Sequence, residues 1–343
     1  MRSFDGAARN RATAMVAALF ALACASLIFA GAIGSVTVPL ADLPAALVDA
    51  LRGQGATMAS TLLELRLTRA LVAFVTGAAL ALAGVLMQAL LRNPLADPYV
   101  LGISAGASVG ALAALLFMGA AWMVDGAAFA GAATISLLLY WLARRDLRAD
   151  GGTTSLLLTG VILSSGCMAL VTLMLSVAPE GRLRGMIFWM IGDVSGAPLR
   201  ALPWMVLGIS LLYAVRHARA LNVIAMHADG AAALGVQVGP LRKSLYCISG
   251  LLTASAVTTA GSIGFVGLIV PHACRFALGP DHRLLVPAAT LAGGSFLVLA
   301  DTLARTIAAP QQLPVGVVTA LLGAPVFLFQ LHQLRASTAA PMT

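Results

Sequence analysis

Ten apolar runs separated by short polar breaks organise this 343-residue chain. They lie near 12–34, 68–91, 99–118, 120–143, 154–177, 198–215, 244–262, 265–278, 284–307 and 315–333. A helix needs roughly 20 apolar residues to cross a bilayer. The pattern therefore predicts an all-α membrane protein of about ten transmembrane helices. The eighth run is too short to cross alone. Residues 1–11 form a polar tail, residues 12–334 a single transmembrane domain, and residues 335–343 a second tail. Ala30-Gly31-Ala32 resembles a signal-peptide cleavage site. The run before it is longer than an ordinary signal core, and further spans follow, so the reading is a retained first helix.

Composition strengthens this picture. The chain is 60% hydrophobic and only 10% charged. A soluble domain of this length leaves too much surface in water to carry that load. The 34 glycines suit helices packing closely in lipid. A net charge of +8 could suggest nucleic acid, but the basic residues sit in short loops between apolar runs, where they set orientation. With the N-terminus inside, fourteen of the 21 Lys and Arg fall on the inner side and seven on the outer. Both termini are then expected in the cytoplasm. Cys24, Cys167, Cys247 and Cys274 lie in or beside apolar runs without a C-x-x-C pair, so neither disulfide nor metal site is expected.

The sequence holds no G-x-x-x-x-G-K-[ST] phosphate loop and no H-E-x-x-H pair. G-x-S-x-G occurs at Gly102–Gly106 and Gly106–Gly110, but inside an apolar run with no strand before it, so it is no nucleophile elbow. His217, His227, His272, His282 and His332 are scattered over predicted cytoplasmic loops and helix ends. Intramembrane ionisable residues, the usual switches of ion-coupled carriers, are few. Asp301 and Arg305 are the main pair, one turn apart and able to bridge at i, i+4. An ion-coupled secondary transporter and a membrane-embedded enzyme are the rival classes. The first needs an essential membrane carboxylate or His, the second a convergent polar cluster.

Four segments break the apolar pattern. Arg92–Pro98 holds two prolines that stop helix propagation, and Gly102, Gly106 and Gly110 follow on one face. Residues 217–243 form a long loop containing Ala228–Val236, an alanine-rich stretch able to form a short helix ending at Gly235. It reads either as a plain surface helix or as a docking element. Gly261, Gly264 and Gly267 alternate with bulky residues before Pro271 and His272, suiting a bent re-entry. Leu313–Ala320 restarts a helix from an outer loop.

In this order the segments resemble the FecCD family of permeases, which import iron–siderophore complexes, haem and cobalamin. The matching motifs are LRLTRALVAFVTGAALALAG (65–84), RNPLADPYVLGISAGASVGA (92–111), FWMIGD (188–193), HADGAAALGV (227–236), GSIGFVGLIVPHACR (261–275), GPDHRLLVPA (279–288), LADTLART (299–306) and LPVGVVTALLGAPVF (313–327). Each is modest alone; eight in register, covering nearly everything after residue 60, are specific.

The resemblance implies a type II ABC importer permease that alternates between outward and inward access. It implies a homodimer with one path on its two-fold axis, two cytoplasmic ATPase subunits and a substrate-binding protein on the outer face. The chain itself would bind no cofactor, and ATP and Mg would sit on the ATPase. His227, Ala228, Asp229, Gly230, Ala231, Ala232, Leu234 and Gly235 match the ATPase-coupling region. Arg66, Arg69 and Arg305 match positions that present arginines to acids of the binding protein. Interfacial anchoring, or pairing with Asp301 or Glu64, is the alternative for them. Thr153 and Thr154 match the cytoplasmic gate, with helix capping the alternative. Asp193 departs from the family pattern and falls near the outer mouth. His227, Asp229 and Gly230 replace the more usual paired acids followed by Ala.

Overall fold

In a computed structural model of the chain, described over residues 6–39, 41–51, 57–117, 119–144, 153–226 and 237–339, the described residues form thirteen α-helices and one 3-10 turn. They are α1 (Gly6–Ala32), α2 (Leu43–Leu51), α3 (Met58–Leu91), α4 (Ile103–Leu116), α5 (Ala121–Ala143), α6 (Thr153–Val177) and α7 (Glu180–Ile191). Then follow α8 (Ala201–Arg216), α9 (Ala218–Met226), α10 (Val238–Ala260), α11 (Val266–Leu278), α12 (His282–Thr306) and α13 (Val315–Ala339). Every predicted run holds a helix. Five are long and apolar enough to span alone, namely Thr13–Ala32, Met58–Leu91, Ala121–Ala143, Thr154–Val177 and His282–Thr306. The pair α8 and α9, bent by 67°, makes a sixth. The remaining four are α10 and the shorter apolar stretches Ile103–Leu116, Val266–Leu278 and Val315–Phe329.

The axis of the fold is α3, a helix of 34 residues. At the ordinary helical rise it stretches about 50 Å, well beyond a hydrocarbon core of about 30 Å. The sequence predicted a start at residue 68, where the apolar run begins. The helix starts nearly three turns further upstream, because Thr57 and Ser60 form a reciprocal capping box that satisfies its first free N–H groups. It ends at Arg92, whose φ of 49° breaks the helical path. From Ala70 to Leu91 nearly every residue is buried.

Glycines let two helices touch this axis backbone to backbone. A Cβ on Gly84 would lie 1.8 Å from the Gly267 carbonyl oxygen of α11, and one on Gly77 2.3 Å from the Gly293 oxygen of α12. On the α10 side, the Ser249 hydroxyl donates to the Ala83 carbonyl at 3.1 Å. The predicted small-residue face of α4 packs likewise. Cβ atoms on Gly106 and Gly110 would strike α5 at Gly131 and Ala127.

Two of the ten runs have a break in the chain path at their start. The third was expected as a helix over 99–118. Instead Asp97 caps a 3-10 turn at Pro98–Leu101, accepting from the Tyr99 N–H at 2.7 Å, and Gly102 at φ 79° starts α4 afresh. What is left is a helix of 14 residues. Its rise is only about 21 Å. The eighth, α11, is short as expected and enters through Gly261 (φ 70°) and Phe265 (φ 71°). A Cβ on Gly261 would meet the Trp189 carbonyl at 2.3 Å, whereas nothing lies near Gly264.

Side-chain and main-chain bridges sort the helix ends into two groups. The ends of α1, α4, α7, α10 and α12 gather with the starts of α3, α5, α8 and α13. Their links include Arg66 to the α1 carbonyls, Arg182 to Leu116, Arg200 to Asp125 and Asp193 to Ala260. The opposite end joins the end of α3 to α9, α11 and the start of α12. This alternation is what successive crossings of a bilayer require.

Candidate functional site

At the first end, Arg69 projects from the first half of α3 onto a buried acid. Its Nε donates to both oxygens of Asp301 on α12, at 3.0 and 2.9 Å, and its Nη2 reaches Oδ1 at 2.8 Å. Nη1 donates to Gln312 Oε1 at 2.6 Å, and Asp193 lies 3.7 Å from Nη2. One guanidinium thus ties α3, α12, the segment before α13 and the segment after α7. Asp301 is 1% exposed, Arg69 12% and Asp193 21%.

The expected i, i+4 contact from Arg305 to Asp301 exists, but at 3.8 Å it is the looser one. Arg305 instead donates to the Ala30 carbonyl at 2.6 Å and to Thr302 Oγ1 at 3.2 Å. Arg66 donates to the carbonyls of Gly31, Ala32 and Val36. Both cations therefore satisfy carbonyls at and just beyond the α1 C-terminus, a favourable place for positive charge. Both are buried. Of the three arginines singled out from the sequence, only Arg69 is partly open to solvent in this conformation. Glu64, one of the alternative partners, is exposed and Arg69 uses Asp301.

Asp193 links this cluster to the bundle beyond. Its N–H donates to the Ala260 carbonyl at 2.8 Å, while the Gly316 N–H donates to Gly192 O at 3.1 Å. The end of α7 is thereby clasped between α10 and α13. A cavity of about 500 Å³ opens beside it, lined by Asp125, Phe188, Trp189, Asp193, Arg200 and Thr258 among others.

At the opposite end a second cavity of about 500 Å³ sits under α9, walled by Gln88, Arg92, Asn222, Arg275, Asp281 and His282. Gln88 Nε2 donates to the Leu268 carbonyl at 3.3 Å and Oε1 accepts from Arg275 Nη1 at 2.9 Å, stitching α3 to α11. Asn222 Nδ2 donates to Asp281 Oδ1 at 2.7 Å, and its carbonyl oxygen accepts from the His282 N–H at 2.8 Å. Asp281 caps α12, accepting from the Arg283 N–H at 3.0 Å. Burial disfavours its charge, yet the bonds from Asn222 and Arg283 and the neighbouring cations outweigh that, holding its carboxyl below the ordinary range. Gln88 and Asn222 were not anticipated. A polar residue inside an apolar run was the available signal for Gln88.

His227, Ala228, Asp229, Gly230, Ala231, Ala232, Leu234 and Gly235 lie outside the described residues. Their flanks, Met226 ending α9 and Val238 opening α10, frame the second cavity's end of the molecule. Thr153 and Thr154 open α6, and Thr154 is exposed. No group of three or more His, Cys, Asp or Glu able to hold a metal occurs among the described residues.

The sequence pattern of the FecCD transport family matches residues 18–333. This chain belongs to that family. It is an ABC-importer permease, and its relatives include permease proteins of import systems. The cobalamin import system permease protein BtuC of Halobacterium salinarum is 42% identical over 273 residues, 78% of this chain and 72% of the relative. The vitamin B12 import system permease protein BtuC of Escherichia coli is 41% identical over 277 residues, covering 79% and 83%. An uncharacterized ABC transporter permease protein of Bacillus subtilis, YvrB, is 42% identical over 277 residues, covering 78% and 77%. A solved inward-facing transporter of metal-chelate type superposes with a TM-score of 0.79 at 28% identity, over 94% of this chain and 99% of the other. PsaBC from Streptococcus pneumoniae shares the fold, with a TM-score of 0.55 at 18% identity, over 82% and 94%.

Proposed function

We propose that this permease carries a chelated metal, with a corrinoid first and an iron–siderophore or haem second, from periplasm to cytoplasm. The observation that carries the reading is the 41% and 42% identity, over more than three quarters of the chain, to permeases named for vitamin B12 and cobalamin import. The likeness to a metal-chelate-type transporter supports the wider class. Two copies enclose the path, two ATPase subunits bind the 227–235 region, and a binding protein docks on the Arg69 end. The Arg69 end faces the periplasm and both termini face the cytoplasm, in accord with the excess of basic residues on the other side. ATP-driven closure of the ATPase pair rocks α9 and its loop, which switches access between the two ends, with Thr153 and Thr154 at the inner gate.

For docking, Arg69 is the arginine best placed to meet an incoming carboxylate, since its guanidinium already faces acids and is partly open. Arg66 and Arg305 contribute as the frame that holds the end of α1. The test is reconstitution in vesicles with the cognate ATPase and binding protein. ATP-dependent uptake of labelled cyanocobalamin is expected. Uptake that proceeds without ATP hydrolysis defeats the importer reading; ATP-dependent uptake of a ferric siderophore but not of cobalamin defeats only the choice of substrate.

A further inference from the structure

A groove of about 390 Å³ runs between α5 and α10, lined by none of the residues that line the two cavities at the ends. Its walls are almost wholly apolar, from Phe129 and Ala133 to Leu251 and Ala254. Gly250 contributes a bare backbone where a Cβ would press on Ser136 at 3.1 Å. At one end the chemistry changes. Tyr140 and Tyr246 face each other with ring centroids 6.2 Å apart. The Tyr246 hydroxyl donates to the Ser136 carbonyl at 2.7 Å, which fixes its ring. The ammonium of Lys243 lies 5.3 Å from the Tyr140 ring centroid.

Lys243 is the only lysine in the sequence. It is exposed, and among the described residues no carboxylate pairs with it. Arg144 lies one turn beyond Tyr140 at the end of α5, on the same face and at the same end of the bundle. Trp141 is 60% exposed. It marks the same depth as an interfacial aromatic. A long apolar trough ending in an aromatic-braced ammonium matches a lipid tail and an anionic headgroup. Basic pockets between membrane helices on the cytoplasmic side hold such headgroups.

We propose that the α5–α10 groove binds one anionic phospholipid, with an acyl chain along Phe129–Ala254 and the phosphate at Lys243. A second copy of the chain fits less well. A two-fold contact centred on this groove would set one Lys243 against the other, with no acid among the described residues lining the groove to separate them. The site stands independently of the transported substrate.

Two measurements on the full-length permease test it. In detergent micelles, native mass spectrometry is run with phosphatidylglycerol, phosphatidylcholine and soluble glycerol phosphate. Phosphatidylglycerol should be retained about fivefold over phosphatidylcholine, the size expected of a single surface cation. Lys243→Gln should abolish that preference and Lys243→Arg should keep it. Ala133→Phe, which fills the trough, should reduce retention of both lipids. A preference that survives Lys243→Gln overturns the proposal, and so does glycerol phosphate competing as well as intact lipid.

The second measurement needs no variant. Cys247 is exposed and lines the groove, whereas Cys24, also exposed, does not. Maleimide modification of Cys247 should slow severalfold in phosphatidylglycerol nanodiscs relative to phosphatidylcholine, with Cys24 unchanged. Equal Cys247 rates in the two lipids refute the site.

Discussion

Asp301→Ala removes the carboxylate on which the Arg69 end converges. Asp301 is 1% exposed and accepts three bonds from Arg69, with Arg305 at 3.8 Å. Deleting one member of a buried ion pair costs roughly 3–5 kcal/mol when the other charge is left stranded. Here the stranding is partial. Arg69 is 12% exposed, keeps Gln312 and can swing toward Asp193, while Arg305 keeps Ala30 O and Thr302. The expected loss is therefore about 2–3 kcal/mol, and about half that for Asp301→Asn, which keeps the shape and an acceptor. Chemical unfolding of the purified permease in mixed micelles, followed by tryptophan fluorescence, measures it. A double-mutant cycle with Arg69→Ala isolates the pair. Sites in one network should couple by more than about 1 kcal/mol, so additivity within about 0.4 kcal/mol would refute the assignment of Arg69 to Asp301.

Further outcomes follow from other contacts. The Cβ of a Gly84→Ala variant meets the backbone of α11 rather than a movable side chain. It should destabilise the bundle by about 3 kcal/mol; a wild-type unfolding midpoint would contradict the packing. Asp281→Ala loses the cap of α12, which should cost about 1 kcal/mol. The folded Asp281 carboxyl titrates below its unfolded value. That unfolded value is about 3.9, so this contribution is complete above that pH and is lost as pH falls through the lower folded value. The stability gap between wild type and Asp281→Asn should therefore close on acidification below about pH 4 and stay constant from about pH 5 to 8. Arg69→Glu should weaken capture of the cognate binding protein at least tenfold in surface plasmon resonance at low salt; unchanged affinity would assign Arg69 a purely internal role.

The helix count was readable because lipid imposes long apolar runs, and each of the ten runs became a helix. What escaped were elements too short or too mixed for that rule. In α7, EGRLRGMIFWMI carries three charges in twelve residues, and α2 has only nine residues. The interruption at Gly102 was hidden because Pro98 sits at the start of a 3-10 turn rather than of the helix proper. At the Arg69 end, local spacing suggested Asp301 with Arg305, four residues apart. The tighter partner is Arg69, 232 residues away, a pairing that entered the sequence reading only as the alternative to docking because no local pattern encodes it. The carbonyls that absorb Arg66 and Arg305 carry no sequence signal at all. The resemblance to known permeases marked the same arginines as outward contacts, while packing in this conformation turns two of them toward α1. The glycine spacing at 261–267 was informative at two positions and idle at Gly264.

The burial of α3 has a practical consequence. A rod fixed by main-chain contact to α11 and α12 has no room to slide or rotate without tearing those contacts apart. It can serve as an internal ruler: spin labels on α3 and α12 should keep a constant separation through the transport cycle. Distances measured from that ruler to α7, α9 or α6 then report movement of those helices alone, free of overall tumbling or bending of the frame.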